Sequence, residues 1–404
     1  MSKSRLQAHG IAGKVLKNAH AIISRCDRGE ITLDDAVDNL PEDCTRIIEH
    51  LLFTFYRYRK PVAGMLNKFI KRPPSAEIMN LLTLAAIQCR FQSGISPESA
   101  VNVAVDFAKS FHADKFVNAV LRNFLRSEFT PSKNAADILP QTIFRRWQKR
   151  FSKDELNRLA SLFQQEAEFT CRILPGFEAT ENSVTVSAWG DFRFASAPAA
   201  EIINSEILKS GGFYIQDPAT SFAVSLAAED AGKAKKVLDL CAAPGGKTLM
   251  LGELCSPDCR IIASDISSRR QQRTKENFVL RNRNYEVITA KPDELYGQYD
   301  IILADLPCSN TGVFRKRPDA LWNFSEKKFQ EICTLQKDIL KSALKLLAPG
   351  GIIIISTCSI EPEENEELVK FFCSLDPALR CEVQQTILPS LQHDGAFAGR
   401  CRLI

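Results

Sequence analysis

Two of the thirteen cysteines in this 404-residue chain stand where a short apolar run gives way to a polar turn: Cys308 in ADLPCSNTGVFRKRPDALW (304–322) and Cys358 in STCSIEPEEN (356–365). A thiolate is a strong nucleophile at modest pKa and also a good leaving group. Methylation at carbon 5 of cytosine needs both properties. That carbon does not take a methyl group directly, but a thiolate adding at carbon 6 makes it enamine-like. The carbon 5 proton and the thiolate must then leave, and a second cysteine or a nearby base assists that release. Asp305 could favour protonation at N3 of such a ring or face a sulfonium centre, while Lys247 and the basic stretch Arg315, Lys316 and Arg317 could hold phosphate or orient the base. Taken singly, either cysteine reads equally as a packed thiol at a strand end.

DLCAAPGGKT (239–248) offers a place for a methyl donor. Gly245 and Gly246 permit a tight turn and close ligand approach, and the following helix aims its first amides at whatever sits there, which suits a carboxylate-bearing ligand. The turn matches neither GxGxxG nor a complete phosphate-binding loop. Asp265 lies 19 residues beyond Gly246, where an acidic side chain accepts hydrogen bonds from a ribose diol. The pair points to a nucleoside-bearing cofactor, although Asp265 would also serve simply to cap the next helix.

To bring these residues together the chain needs a doubly wound parallel sheet. From Lys235 onward short apolar runs alternate with amphipathic segments: KKVLDL (235–240), RIIASDI (260–266), YEVITA (285–290), YDIILADLP (299–307) and GIIIISTCS (351–359), with SEKKFQEICTLQKDILKSALKLL as the clearest helix. In such a sheet the first, fourth and fifth of these strands lie side by side. Their loops, carrying Gly245, Asp305, Cys308 and Cys358, then converge at the topological switch point.

Ahead of that sheet the pattern differs. Residues 1–130 read as successive helices, as in AEIMNLLTLAAIQCRF and SAVNVAVDFAKSF, punctuated by Pro61, the Pro73–Pro74 pair and Ser96–Pro97. TPSKNAADILP (130–140) reads as a linker. A basic helix around 144–151 and the runs FTCRILP and SVTVSAWGDFRF then suggest a small α+β module. The expected divisions are 1–135, 136–230 and 231–404. Residues 1–150 carry 23 Lys+Arg against 14 Asp+Glu, a net +9 inside a whole-chain +4, so the front half suits a polyanion or else presents a solvated helical surface.

The composition, 45% apolar and 25% charged, is that of a globular protein. No apolar run reaches the ~18 to 20 residues that span a bilayer, and MSKSRLQAHGIAGK lacks the apolar core of a secretory signal, so no membrane partner and a cytoplasmic location are expected. The cysteines are odd in number and form no CxxC pair. Cys255 and Cys259 come nearest to a ligand pair without a second pair to complete it, and no metal is expected.

These segments resemble the NOL1/NOP2/Sun group of RNA cytosine-5 methyltransferases, and within it the bacterial small-subunit rRNA methyltransferase B type. GGFYIQDPAT (211–220), DLCAAPGGKT, DLPCSNTGVFRKRPDALW, STCSIEPEENE and HDGAFAGRCRLI fall in the group's order, and the resemblance covers almost the whole chain. ISPESAVNVAVDFAKSF with DKFVNAVLRNFLR is similar to the NusB-like helical RNA-binding domain of that type. The resemblance implies a multidomain fold: an all-α NusB-like domain, a small RRM-like α+β module and a Rossmann-like class I methyltransferase domain with a mostly parallel sheet. It implies 16S rRNA as partner, a monomer, and S-adenosyl-L-methionine bound by Cys241, Ala242, Ala243, Pro244, Gly245, Gly246 and Lys247. Asp265 would take the ribose, Asp293 the adenine side, and Asp305 the methionine and substrate end. Cys358 would be the nucleophile and Cys308 its releasing partner. Two departures stand out: the group's usual DAPC is DLPC here, and KPDEL replaces the glycine-acid pattern around Asp293.

Competing functions remain at this level. An amine or protein methyltransferase would transfer the methyl group without needing Cys358, the same chemistry could serve another RNA such as tRNA, and a silent RNA-binding assembly factor would bind RNA in a salt-dependent way without transfer.

Overall fold

A computed structural model describes residues 3–37, 40, 44–179 and 184–404, with side chains from residue 10 onward; Ser183, which opens one of the runs above, lies outside the described residues. The chain divides into two compact units, one of residues 1–165 with 317–323, the other of 166–316 with 324–404.

The first unit is helical. Helices Lys3–Asp27, Thr45–Asn67, Ala76–Phe91, Pro97–Ala108 and Asp114–Arg126 surround a core that includes Leu16, Phe55, Leu81, Val117 and Phe124. Ser75 and Ser96 start two of them by accepting the amides of Ile78 and Ser99. Pro61, expected to punctuate, instead sits inside Thr45–Asn67. Val62 and Leu66 beyond it are fully buried, and that packing outweighs the ~3 kcal/mol an interior proline costs. The expected linker is also structured: Asn134 caps the turn Ala135–Ile138, and Ala135, Ile138 and Leu139 are buried. Lys60 donates to the carbonyls of Ala136 and Leu139 at 2.6 Å, and Tyr58 to that of Gln164 at 2.9 Å. Compositional turn signals at Thr130–Asn134 hid this short apolar segment, so the helical unit continues past the expected division at 135.

The same unit takes in residues from far along the chain. Trp322, in helix Pro318–Asn323, donates to the Tyr56 carbonyl at 2.7 Å under the Arg59 guanidinium, and Arg317 pairs with Asp34 at 2.7 Å. Part of the basic motif after Cys308 thus belongs to the helical unit.

The second unit holds two sheets. In the smaller, β1 (Phe169–Ile173), β2 (Thr185–Trp189), β3 (Phe192–Ala197) and β4 (Phe213–Ile215) pair antiparallel in the order β2-β3-β1-β4, the order of an RRM-type sheet. The larger contains β5 (Lys236–Leu240), β6 (Arg260–Asp265), β7 (Glu286–Thr289), β8 (Tyr299–Asp305), β9 (Leu347–Thr357), β10 (Leu379–Ile387) and β11 (Ala396–Leu403), ordered β10-β11-β9-β8-β5-β6-β7. β9, β8, β5, β6 and β7 are parallel and coincide with the five expected runs, while β11 and β10 add an antiparallel edge beyond β9. β5, β8 and β9 are apolar on both faces because helices cover both. Phe192 and Phe194 of β3 share a core with Val237 of β5 and Ile301 of β8, which places the small sheet in one unit with the large one. Among the described residues no helix is long and apolar enough to cross a membrane, and no group of three or more potential ligands is placed to hold a metal ion.

Candidate active site

The strand order reverses between β5 and β8, and the carboxyl ends of β5, β8 and β9 are adjacent there. β5 runs into the glycine turn. Gly245 has φ +95° and leads the helix Gly246–Leu254 without a side-chain cap. A Cβ on Gly245 would meet the Phe278 ring at 2.8 Å, and one on Gly246 would meet the Tyr214 ring at 2.7 Å, so the turn is built around bare backbone. Ala242 and Ala243 are buried behind it. Cys241, in left-handed backbone at φ +66°, has its thiol pushed up to about 12 by burial, with Asp265, Asp305 and Asp239 adding to the rise.

Lys247 joins this turn to the neighbouring strand, with Nζ 2.7 Å from Asp305 Oδ2. Burial lowers the lysine pKa, but Asp305, by charge and hydrogen bond, more than reverses this and leaves it raised; the charge of Cys358 also contributes. Ser356 of β9 donates to the other Asp305 oxygen at 3.0 Å. Two residues on, Cys358 Sγ lies 3.2 Å from Cys308 Sγ and 3.0 Å from Asn310 Oδ1. The structure therefore brings Lys247, Asp305, Cys308 and Cys358 into one cluster. The Cys308 pKa is well above its ordinary value, first because of its bond with Cys358 and second because of burial.

A network between the two cysteine-bearing loops fixes this pairing. Glu364, fully buried, accepts from the Ser309 amide at 2.8 Å and its hydroxyl at 2.5 Å. Gln336 holds the Pro307 carbonyl at 2.8 Å, Thr311 meets Ser359 at 3.0 Å, and the Gly312 amide donates to the Cys358 carbonyl at 2.9 Å. Burial raises the Glu364 pKa even though these donors lower it.

The expected cofactor carboxylates differ from one another. Asp265 ends β6 nearly buried, accepting from the Ser267 amide at 2.9 Å and pairing with Arg270 at 2.9 Å. The helix Ser268–Leu280 is capped by Ser267, so Asp265 is not the cap itself. Asp293 stands exposed on the turn Pro292–Glu294 after β7, and no hydrogen bond or ion pair among the described residues joins it to the cluster. Sequence reasoning gave no role to Asp239, yet it is fully buried at the end of β5, with Oδ2 accepting from Thr248 at 2.6 Å and Oδ1 finding no partner among the described residues. Burial first, then Asp305 and Asp265, push its carboxyl up to about 7 against the Thr248 bond and the Lys247 charge. Its position at a strand end just before a glycine turn was the available signal. Glu364 and Asn310 also went unassigned, and only their contacts across about fifty residues of chain reveal them.

Residues 224–395 match the family model described as 16S rRNA methyltransferase RsmB/F, and residues 8–126 that of the NusB family. Ribosomal RNA small subunit methyltransferase B of Shewanella oneidensis is 32% identical over 295 residues, 67% of either chain. The protein of that name from Cronobacter sakazakii is 27% identical over 384 residues, 87% of this chain and 88% of its own. Among solved structures, that of PH0851 superposes with a TM-score of 0.74 at 20% identity, covering 96% of this chain and 98% of the other. NSun6 from Pyrococcus horikoshii gives 0.53 at 18% identity, covering 66% and 98%. These superpositions speak for the fold.

Proposed function

Because the chain belongs to the RsmB/F family of 16S rRNA methyltransferases, with a NusB-family domain at its front, we propose that it methylates carbon 5 of a cytosine in small-subunit rRNA through a transient bond to Cys358. The observation that carries this reading is the 3.2 Å pairing of Cys358 with Cys308 beside an Asp305–Lys247 pair rooted in the glycine turn.

The residues present fit S-adenosyl-L-methionine. The uncapped amino end of Gly246–Leu254 suits its carboxylate, and the unpartnered Asp239 oxygen suits an ammonium. The turn from Cys241 to Lys247 would hold the donor, with Asp265 toward the ribose, where Arg270 is the exposed partner that a diol would replace. When bound, the donor supplies an electrophilic methyl group on a sulfonium.

In the reaction, the Cys358 thiolate forms a bond to carbon 6 as the carbon 5–carbon 6 π pair moves to carbon 5, which then carries the methyl group. Asp305, held by Lys247 and Ser356, faces the ring and favours the N3-protonated form that draws this electron pair. Loss of the carbon 5 proton restores the double bond and expels the Cys358 thiolate. Cys308, whose Sγ lies 3.2 Å from Cys358 Sγ, takes that proton as its thiolate, having first given its own proton to solvent. Cys358 is the largest cause of its raised pKa, so tying Cys358 to carbon removes that cause and eases Cys308 ionisation when a base is needed. The ring must leave its stack to be approached at its face. The basic helical unit would supply the grip on RNA, with a salt-dependent affinity.

The test pairs two substitutions with labelled donor and rRNA. C308A is expected to accumulate a denaturation-resistant protein–RNA adduct through Cys358, whereas C358A is expected to give no adduct and to lose transfer by roughly 10⁴-fold or more. Persistent transfer by C358A would overturn the reading. Mapping 5-methylcytosine in rRNA from cells with and without the protein would identify the base.

A further inference from the structure

Asn310 touches both sulfurs. Its backbone amide donates to Cys308, and its side-chain Oδ1 accepts from the Cys358 thiol at 3.0 Å. It does so from left-handed backbone at φ +60°, a conformation that asparagine and glycine adopt more readily than other residues. The neighbours fix it there. Ser309 is gripped by Glu364, Thr311 bonds Ser359 and the Ile360 amide, and Gly312 is pressed between the Cys358 and Gly395 carbonyls. The Asn310 amide is thus presented to the nucleophile by a loop with little freedom.

An amide oxygen cannot remove the thiol proton, and it offers nothing to the anion left when that proton departs to solvent. The amide nitrogen does. Oxygen and nitrogen of an asparagine side chain fill nearly the same volume, so a half-turn about Cβ–Cγ exchanges acceptor for donor while the backbone stays still. A bond from N–H to a thiolate is charge-assisted and stronger than the weak S–H bond it replaces, so the exchange favours the ionised sulfur. We infer that Asn310 is a positioning residue for the nucleophile, accepting from the Cys358 thiol at rest and donating to its thiolate once the proton has gone. This deepens the reading of Cys358 given above and rests on it. Cys308 lies 3.2 Å from Cys358, the Lys247 charge interacts with it and Glu364 acts on Cys308 beside it, and substitution at 310 leaves all three in place.

The experiment measures iodoacetamide alkylation of Cys358 against pH in the full chain, resolved from the other cysteines by mass spectrometry of its peptide. N310G keeps the left-handed backbone and the amide to Cys308 while removing the side chain; N310D keeps the shape but offers only acceptors. Losing one hydrogen bond to a charged sulfur is expected to move the Cys358 alkylation midpoint up by about one pH unit in N310G, a roughly tenfold loss of reactive thiolate at neutral pH. N310D is expected to move it further. Methyl transfer by N310G should lose kcat in the same proportion near neutrality and regain it as pH rises, with KM for RNA unchanged. Coincident alkylation profiles in the wild type and N310D, or a kcat loss in N310G that persists at high pH, would overturn the inference. Should N310G not fold, N310A, which removes the amide without adding a charge, takes its place, and a midpoint unmoved in it overturns the inference. Alkylation needs neither RNA nor donor, so it stands apart from the adduct test: activity in C358A defeats the nucleophile, while unmoved midpoints defeat only Asn310.

Discussion

The two halves of the site are built from different materials. On the glycine-turn side, geometry comes from the backbone: a left-handed Gly245, a Gly246 with no room for a side chain, and amides left bare at a helix start. On the thiol side it comes from side chains, with Ser309, Thr311, Gln336, Ser359 and Glu364 lacing two loops together. A pocket for a constant small molecule can be cast in main chain. Under the proposed reaction the two sulfurs change ionisation, and that calls for partners that donate and accept.

That contrast can be broken at Glu364. E364A would strand the Ser309 donors in a buried site, at a cost of about 3 kcal/mol or more in unfolding free energy, with loss of transfer but donor affinity retained in whatever remains folded. E364Q should be milder, since one carbonyl still accepts. Denaturant unfolding with parallel calorimetry of donor binding checks both, and equal damage to donor affinity would erase the distinction. G246A strikes the other half. Overpacking against Tyr214 is expected to cost roughly 1 to 3 kcal/mol and to weaken donor binding, while Cys358 alkylation stays as in the wild type. A third effect sharpens the comparison through pH. The Asp239 carboxyl is raised from 3.8 to about 7, so the stability it contributes is fully present below about pH 4 and is lost as pH rises through about 7. D239N removes that titration and keeps an acceptor for Thr248. Its melting temperature without donor should gain on the wild type between pH 4.5 and 7.5, by the equivalent of about 2 to 3 kcal/mol. A constant difference across that range would show that Asp239 is not held neutral.

The backbone-built half was also the easier to read in the sequence. Parallel strands covered on both faces announce themselves as apolar runs, so β5, β8 and β9 and their adjacency followed, and with them the meeting of Gly245, Asp305, Cys308 and Cys358. β10 did not, because RCEVQQT is the polar surface of a solvent-facing edge strand, and β11 had been read only as a motif. Asp293 came from the family resemblance alone, and it stands exposed on the turn after β7, outside the thiol cluster. Asp239 lay inside a recognised motif without a role, since only its burial shows that one oxygen is left unpartnered. Glu364 and Asn310 act across 55 and 48 residues of chain, a separation that periodicity does not report.

The excursion of residues 317–323 into the helical unit bears on how the protein can be dissected. Seven residues after Asn310 the polypeptide leaves the catalytic unit's own fold, and Trp322 finds its indole acceptor on Tyr56 and its cationic lid on Arg59. A fragment begun near residue 166 would retain every cysteine of the site yet carry a tryptophan stripped of both. Sluggish or insoluble behaviour of such a truncation would then report a wound at the cut rather than a missing RNA grip, and a clean separation of labour requires W322 to be replaced by a polar residue in the same fragment.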